Sequence, residues 1–504
     1  QLQLRGYLRP ARATVEPTGD NEDDVSIADH LFRVLRGTHN LAFANRRIDV
    51  ELFADLLRQR CAALRVPNEF WPHHGNLSRD LRQDVEAMLK DRSKPATAIC
   101  TSTLELGIDI GSVTSVAQIG SPPSVASLRQ RLGRSGRRGD AAVLRIYVRE
   151  DEASVESPPQ DLLRLELVES MAQVELLLRR WYEPPVAGRL HLSTLVQQTM
   201  SVIAQHGGVR AVEAYDALCR NGPFQEVTSA MFAGLLRSLG SHDLLMQSGD
   251  GTLLLGVVGE RLVNHYDFYA AFTSPEEFRV MNEGRPLGTL PIAQPLVEGM
   301  PLIFAGRRWK VRAVDPKQRV VDVVASPAGR PPRFGGESGA VHDEVRAEML
   351  RLLGDGEEPA YLDETARSLL REARDNFVRM GLGTRRLVRS GSTTHLFPWA
   401  GDRATNTIAV HLQALDFDAE AAHGVISVSD APTEALTITL RRLAEAGPVD
   451  PEALAAAVLN KESEKYDGFL DESLLCAEYA RRALDAEGEW QAVESIVRSD
   501  EADR

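Results

Sequence analysis

This chain is poor in the residues that several kinds of chemistry need. Its four cysteines, Cys61, Cys100, Cys219 and Cys476, lie far apart, with no CxxC pair and no histidine at metal-ligand spacing. That pattern predicts no metal site, and it speaks for a reducing cytoplasm over a disulfide framework. No apolar run approaches the roughly 20 residues that span a bilayer, so no membrane partner is expected. The opening QLQLRGYLRP lacks the basic, apolar and small-residue succession of a signal peptide. It also lacks a methionine, and the expectation is a piece of a longer protein. Bases are fewer than acids, and the net charge is −14. This balance argues against a protein that coats nucleic acid. A local basic channel remains open, because binding follows the distribution of charge and not its sum.

What is there suffices for several folded domains. With 504 residues, 43% of them hydrophobic, the chain fits a globular protein of three or four domains. Over residues 1–150 apolar strands alternate with helical stretches. NLAFAN (residues 40–45), ATAICTS, SVAQIG and AVLRIYV read as strands; RIDVELFADLLRQRCAAL and SRDLRQDVEAMLK read as helices, the latter capped by Ser78. Such alternation predicts a parallel α/β sheet with its working residues at the carboxyl ends of the strands.

The acidic, proline-bearing REDEASVESPPQD marks a linker near residues 149–161. Helical patterns follow, among them LLRLELVESMAQVELLLRRWY and TSAMFAGLLRSLG, and then DLLMQSGDGTLLLG, a hairpin signal around Ser-Gly-Asp-Gly. Helices closed by a hairpin suggest a winged-helix domain over residues 162–258, with an unrelated bundle as the alternative. Residues 259–337 turn to short strands split by Gly and Pro, expected to form a small antiparallel barrel or sandwich. Residues 338–504 mix helices and strands as an α+β domain with an acidic tail.

The segment QRLGRSGRRG (residues 130–139) is dense in arginine and glycine. It fails as a dinucleotide loop, since the glycines at 133, 136 and 139 miss the GxGxxG spacing. Strands on both sides make a disordered basic tract a poor reading. A phosphate-handling turn fits better, and two other segments offer phosphate-binding groups. CTSTLELGIDIGSV (residues 100–113) places the hydroxyls of Thr101 and Ser102 after a strand. HHGNLSRD (residues 73–80) places a hydroxyl, an amide and an arginine at a strand-to-helix junction.

Taken in order, LAFANRR, HHGNLSRD, TSTLELGIDIG and QRLGRSGRRG resemble the motifs of the second RecA-like domain of superfamily 2 helicases. The forms HHGNLSRDLRQDVEAMLK and TSTLELGIDIG are similar to the large helicase-related (Lhr) branch, as are EFRV, LGTLP, FAGRRWKV and PPRFGG further on. The resemblance covers residues 30–336. It implies a RecA-like α/β domain followed by a winged helix, a small β-barrel and an α+β C-terminal domain. It also implies ATP-driven movement along single-stranded DNA, 3′ to 5′, with unwinding of duplex or RNA–DNA hybrid. Gln130, Arg134 and Arg137 would line the nucleotide cleft, the two arginines acting as fingers, because a forked permanent charge suits the oxygens of a transferring phosphoryl group. Gly107 and Asp109 would couple nucleotide to Thr101 at a nucleic-acid phosphate, with Ser102 beside it. His74, Gly75, Ser78 and Arg79 would lie near the tracked strand, Ser78 being explained by capping as well. Gly133 and Gly136 would let the chain turn tightly.

Other residues carry two readings. Asn45, Arg46 and Arg47 either serve the site or cap the next helix. Arg129, Arg131 and Arg138 are expected at the surface or facing phosphate, and Glu105 is expected to satisfy a neighbouring arginine. FAGRRWKVRAVDPKQR carries Arg307, Arg308, Lys310, Arg312, Lys317 and Arg319 against Asp315. It is either a solvated basic strand or an electrostatic stripe for a single strand, with Trp309 stacking a base or lying in the barrel core. The family's first RecA-like domain supplies a GxxxxGK[ST] loop and an acidic Mg²⁺ motif, and the 504 residues contain no such loop. ATP and Mg²⁺ are therefore expected to need a first RecA-like domain from elsewhere, the chain alone being inactive. The competing expectation is a non-catalytic binding or assembly subunit that keeps the fold.

Overall fold

Short runs of β-branched and small apolar residues in the first part of the chain build a six-stranded sheet. In chain order the elements are β1 (Leu2–Arg9), α1 (Glu22–Leu35), β2 (Asn40–Ala44), α2 (Arg47–Ala63), β3 (Phe70–His73), α3 (Arg79–Lys90), β4 (Thr97–Cys100), β5 (Ser115–Ile119), α4 (Val125–Leu132), β6 (Leu144–Asp151), α5 (Pro159–Leu162) and α6 (Leu165–Leu178). The strand order is β1-β6-β5-β2-β4-β3, and every neighbouring pair is parallel. β2, β4 and β5 are buried along their whole length, as continuous apolar runs covered on both faces must be. Ile27, Leu31, Phe53 and Leu57 of α1 and α2 pack on Ala42, Ile99 and Ala117 of the sheet. The parallel α/β architecture expected from the sequence is present, and β1 and α1 extend it at the N-terminal side.

The structure is a computed structural model. It describes residues 1–10, 21–106, 110–136, 141–154, 157–272, 277–291, 296–316, 318–326, 339–459 and 461–502. The chain divides into two compact units, Gln1–Glu183 with Pro275–Gly383, and Pro184–Ser274 with Thr384–Arg504. The helical run expected over residues 162–182 is broken. Arg164 takes a left-handed backbone (φ +52°), and its guanidinium donates to the Asp151 carbonyl and to Glu372 at 2.8 Å, which separates α5 from α6.

The second unit begins with α7 (Leu192–His206), β7 (Val209–Arg210), α8 (Ala211–Tyr215), α9 (Ser229–Ser241), β8 (Leu245–Gln247), β9 (Thr252–Leu255) and α10 (Val257–Val263). β8 and β9 pair antiparallel around Ser248-Gly249-Asp250-Gly251, the hairpin that the sequence signals, and β7 completes a three-stranded sheet.

The chain then returns to the first unit with β10 (Glu277–Asn282), β11 (Arg285–Pro291), β12 (Pro301–Phe304), β13 (Arg307–Asp315) and β14 (Val320–Ala325), followed by α11 (Asp343–Gly354) and α12 (Glu364–Arg379). The five strands form one sheet in the order β11-β10-β14-β13-β12. Purely antiparallel pairing is expected here, but β10 and β14 run parallel. β11 occupies one edge of β10 through a hairpin, and β14 reaches the other edge from a later hairpin. The segment after α11 covers the outer edge of β1: Leu4 N–H donates to the Tyr361 carbonyl at 2.8 Å and Asp363 N–H to the Leu4 carbonyl at 3.0 Å. The second unit closes with β15 (Leu387–Ser390), β16 (Thr393–Leu396), α13 (Asp402–Ala414), β17 (Ala419–Ala422), β18 (Val425–Val428), α14 (Thr433–Ala446), α15 (Pro451–Ala455), α16 (Glu472–Ala483) and α17 (Ala486–Ala502). These last strands form a four-stranded antiparallel sheet. No helix among the described residues is long and apolar enough to cross a membrane.

Candidate nucleotide and nucleic-acid interface

Segments that follow β2, β3 and β4, together with the turn between α4 and β6, carry the polar groups. α4 leads into the arginine turn. Ser124 caps it, accepting from Ser127 N–H at 3.0 Å, and Glu183 accepts from Val125 and Ala126 N–H, each at 2.8 Å. Gln130 and Arg129 are exposed on this helix. Arg131 is not at the surface, contrary to expectation: it is 2% exposed. Its Nε donates to Glu105 Oε2 at 2.9 Å, its Nη1 donates to Gln118, and its guanidinium lies 4.8 Å from the Phe43 ring centroid. A buried guanidinium needs this set of partners. Glu105 thus serves a neighbouring arginine, and it also accepts from Ser127 Oγ at 2.8 Å.

Arg134 follows the helix and bends back. Its Nε and Nη2 donate to the Glu105 carbonyl at 3.1 and 2.6 Å, and 9% of it is exposed. Ser135 ties the turn to the sheet by donating to the Thr114 carbonyl at 2.9 Å. Gly136 has φ +72°, and a Cβ there would sit 2.7 Å from Ala142 N, so this position demands glycine. Gly133 has ordinary helical φ and ends α4. Arg137, Arg138, Gly107 and Asp109 lie outside the described residues.

The ends of β3 and β4 meet where Thr101 N–H donates to the His73 carbonyl at 3.3 Å. Ser102, Gly75 and Arg79 are exposed, Thr101 and Ser78 partly so. Ser78 caps α3 by accepting from Leu81 N–H at 3.4 Å. His73 is buried between Thr103 Oγ1 at 2.8 Å and Glu86 Oε1 at 3.3 Å, and burial lowers its pKa.

His74 is a correction. It is fully buried, with Nε2 2.8 Å from Glu51 Oε1, so its ring does not face a strand. The helix-facing side of a strand end points inward, and a histidine there packs against the core. Glu51, which sequence reasoning missed, also accepts from Ala305 N–H at 2.9 Å and Gly306 N–H at 2.6 Å. The signal for it is an acid on the apolar face of α2, among Val50, Phe53 and Ala54.

The basic strand β13 divides its residues. Arg307 is exposed. Arg308 is tied to the fully buried Asp55, Nε to Oδ2 at 2.6 Å, and is not a free phosphate ligand. Trp309 is 5% exposed, packs among Phe278, Leu302 and Val323, and donates to the Phe304 carbonyl at 2.7 Å. It is a core side chain and not a stacking platform, because alternation along the strand turns it to the covered face. Arg312 pairs with Asp322, and Lys317 lies outside the described residues. Asn45 joins β2 to β5, accepting from Gln118 Nε2 at 3.2 Å and donating to the Ser121 carbonyl; Arg46 pairs with Asp49 at 2.9 Å.

Residues 25–139 match the model of the helicase conserved C-terminal domain. Over 308 residues the chain is 25% identical to the Lhr helicase/uracil glycosylase of Escherichia coli, 56% of this chain and 19% of that protein. Over 206 residues it is 31% identical to the ATP-dependent helicase Lhr-Core of Methanocaldococcus jannaschii, 40% of this chain and 21% of that protein. Residues 25–139 are a helicase conserved C-terminal domain, and the relatives they resemble are Lhr helicases. The chain thus spans about a fifth of the length of these curated relatives. Its fold is shared with the Mycobacterium smegmatis helicase Lhr, solved bound to ssDNA and AMP-PNP, at a TM-score of 0.56 and 19% identity over 99% of this chain and 65% of that one.

The donor set of this domain suits phosphate oxygens: a guanidinium, hydroxyls and the N-terminal amides of α3. Among the described residues no group of three or more His, Cys, Asp or Glu could hold a metal ion.

Proposed function

We propose that this chain supplies the finger-bearing and strand-gripping part of an ATP-dependent helicase. The carrying observation is that Arg134 bonds the carbonyl of Glu105, which ends the short segment begun by Thr101 and Ser102 after β4, while Gly75 and Arg79 follow the neighbouring strand β3. Thr101, Ser102, Gly75 and Arg79 stand outside the carboxyl ends of β4 and β3, where ligands of such sheets bind.

In this reading Arg134, with Arg137, faces the phosphates of ATP held by a phosphate-loop domain, and Gln130 lines the same cleft. ATP supplies the phosphoryl group whose transfer drives translocation. The guanidinium of Arg134 would leave the neutral Glu105 carbonyl for the more strongly attracting phosphate oxygens. Gly107 and Asp109 relay this change toward Thr101. Thr101, Ser102, Gly75, Ser78 and Arg79 hold the backbone of the tracked strand, single-stranded DNA or the DNA of an RNA–DNA hybrid, moved 3′ to 5′. Arg307 adds a rim charge. The α7–α9 helices with the β8–β9 hairpin act as a winged helix, the β10–β14 sheet as a small barrel, and residues 338–504 as an α+β domain.

The test is ATP turnover with single-stranded DNA, by the chain alone and mixed with a RecA-like domain that carries a phosphate loop. Turnover by the mixture that is lost in Arg134→Ala is expected. Turnover indifferent to Arg134→Ala overturns the finger assignment. No turnover in any mixture leaves a nucleic-acid-binding subunit.

A further inference from the structure

The loop between β3 and α3 would be expected to be held by its own domain, yet it is fastened to the five-stranded sheet at several points. At its start, His74 leans on Glu51, and the same carboxylate accepts both N–H groups of the β12–β13 turn, Ala305 and Gly306. His74 and Glu51 have no exposed surface. In its middle, Asn76 donates to Glu277 Oε1 at 2.7 Å, and its carbonyl accepts from Thr289 N–H at 2.7 Å. Leu77 forms an antiparallel bridge with Gly288 and joins the apolar core of the five-stranded sheet. At its end, Ser78 N–H donates to the Leu287 carbonyl at 2.9 Å. Gly288 permits this approach, because a Cβ there would stand 2.1 Å from the Asn76 carbonyl oxygen.

Such fastening exceeds what a short loop needs. A buried carboxylate is stable only while its partners hold it, so Glu51 locks the hairpin and the loop to one another. Gly75 and Arg79 are the exposed members of the same stretch. We propose that Glu51 is a positioning residue for nucleic-acid binding, and that the β10–β14 sheet sets where Gly75, Ser78 and Arg79 meet the phosphates of a single strand. This rests on the reading that the loop contacts nucleic acid. Phosphate contacts demand placement to within a fraction of an ångström, and a loop registered against a second sheet moves with that sheet as one body.

The experiment uses the full 504-residue chain and a fluorescent oligothymidylate, with affinity measured against salt. Each phosphate contact to a single strand contributes about 0.7 to the slope of log K against log[salt]. Arg79→Ala is expected to weaken binding about tenfold and to lower the slope by about 0.7. Glu51→Gln and Gly288→Val are expected to lower the slope by about the same or more, at a temperature where a thermal melt shows each variant folded. Hydrogen exchange at Leu77 and Ser78 should quicken in both. An unchanged slope and affinity in both folded variants overturns the proposal. So does a fall in affinity with no change of slope, which marks mere loss of active protein. An unaltered Arg79→Ala beside quickened exchange in Glu51→Gln overturns the reading of the loop as a nucleic-acid contact, and shows that reading to be the failed part.

Discussion

Arg131 carries a positive charge into a site with 2% exposure, where Glu105, Gln118 and the Phe43 face receive it. Removing one member of a buried pair leaves the other charge stranded, at about 3–5 kcal/mol. Arg131→Ala should therefore lower the midpoint of urea unfolding sharply. Arg129→Ala, two residues earlier and exposed, should leave it within about 0.5 kcal/mol. Arg134→Ala removes the two hydrogen bonds to the Glu105 carbonyl and is expected to cost about 1–3 kcal/mol of stability, with a loss of about 10³-fold or more in ATP turnover when a phosphate-loop domain is supplied. Equal unfolding losses at Arg131 and Arg129 would contradict the burial pattern. The segment that holds these arginines was legible in the sequence, and so was the cap at Ser78. Which arginine turns inward was not. Arg131 and Arg134 turn inward while Arg129 does not, and only the placement of Glu105 and Gln118 by segments distant in sequence decides this. The same holds for Trp309 and His74, whose orientation depends on the face a strand presents to a partner distant in sequence.

At the scale of elements, the junction of β6 and α6 joins two segments through one buried acid. Glu150 Oε1 accepts from Leu167 N–H at 2.8 Å. Burial outweighs that hydrogen bond, Glu166 nearby adds to it, and the pKa is pushed up to about 8. The folded state then holds a proton that the unfolded chain releases near pH 4.5. Between these values the folded state binds more protons, so stability falls as pH rises from about 4.5 to about 8. Glu150→Gln stays neutral throughout and should flatten this decline. It should be the more stable form at pH 8.5, by about 2–4 kcal/mol. Thermal unfolding across that window checks it, and parallel curves for the two proteins would contradict it. Strands β2, β4 and β5 were legible because burial on both faces writes a continuous apolar run. β1 was not: LQLRGYLR carries Arg5 and Arg9, and its strand character comes from pairing with β6. The break between α5 and α6 was hidden too, since Arg164 leaves the helix only where Asp151 and Glu372 draw its side chain.

At the scale of the molecule, both units are made from two separate stretches of chain. The core under α7 and α9 takes in Tyr466, Leu470 and Leu474 from the end of the sequence. Ser238 Oγ donates to the Phe469 carbonyl at 2.8 Å, and Leu192 N–H to Glu478 at 3.0 Å. A chain ending at Gly383 should lose exchange protection in α7 and α9 and bind a hydrophobic dye, while β2, β4 and β5 stay protected. Retained protection in α7 and α9 would show that the later residues are no part of that core. Sequence reasoning placed its boundaries along the chain in series. It could not see the interleaving, since nothing local in residues 184–274 announces a partner two hundred residues on.

The edge of β1 gives this interleaving a time axis. Leu4 finds its outer partners only when Tyr361 and Asp363 arrive. During synthesis the parallel sheet can assemble once β6 has emerged, with that edge open until some two hundred residues more have been made. At about 5–20 residues per second the exposure lasts on the order of 10–40 s. An unpaired strand edge is a template for pairing with other chains. On the ribosome, then, the helicase domain passes through a window in which neighbouring nascent chains compete for Leu4, and a pause in translation before residue 363 would lengthen it.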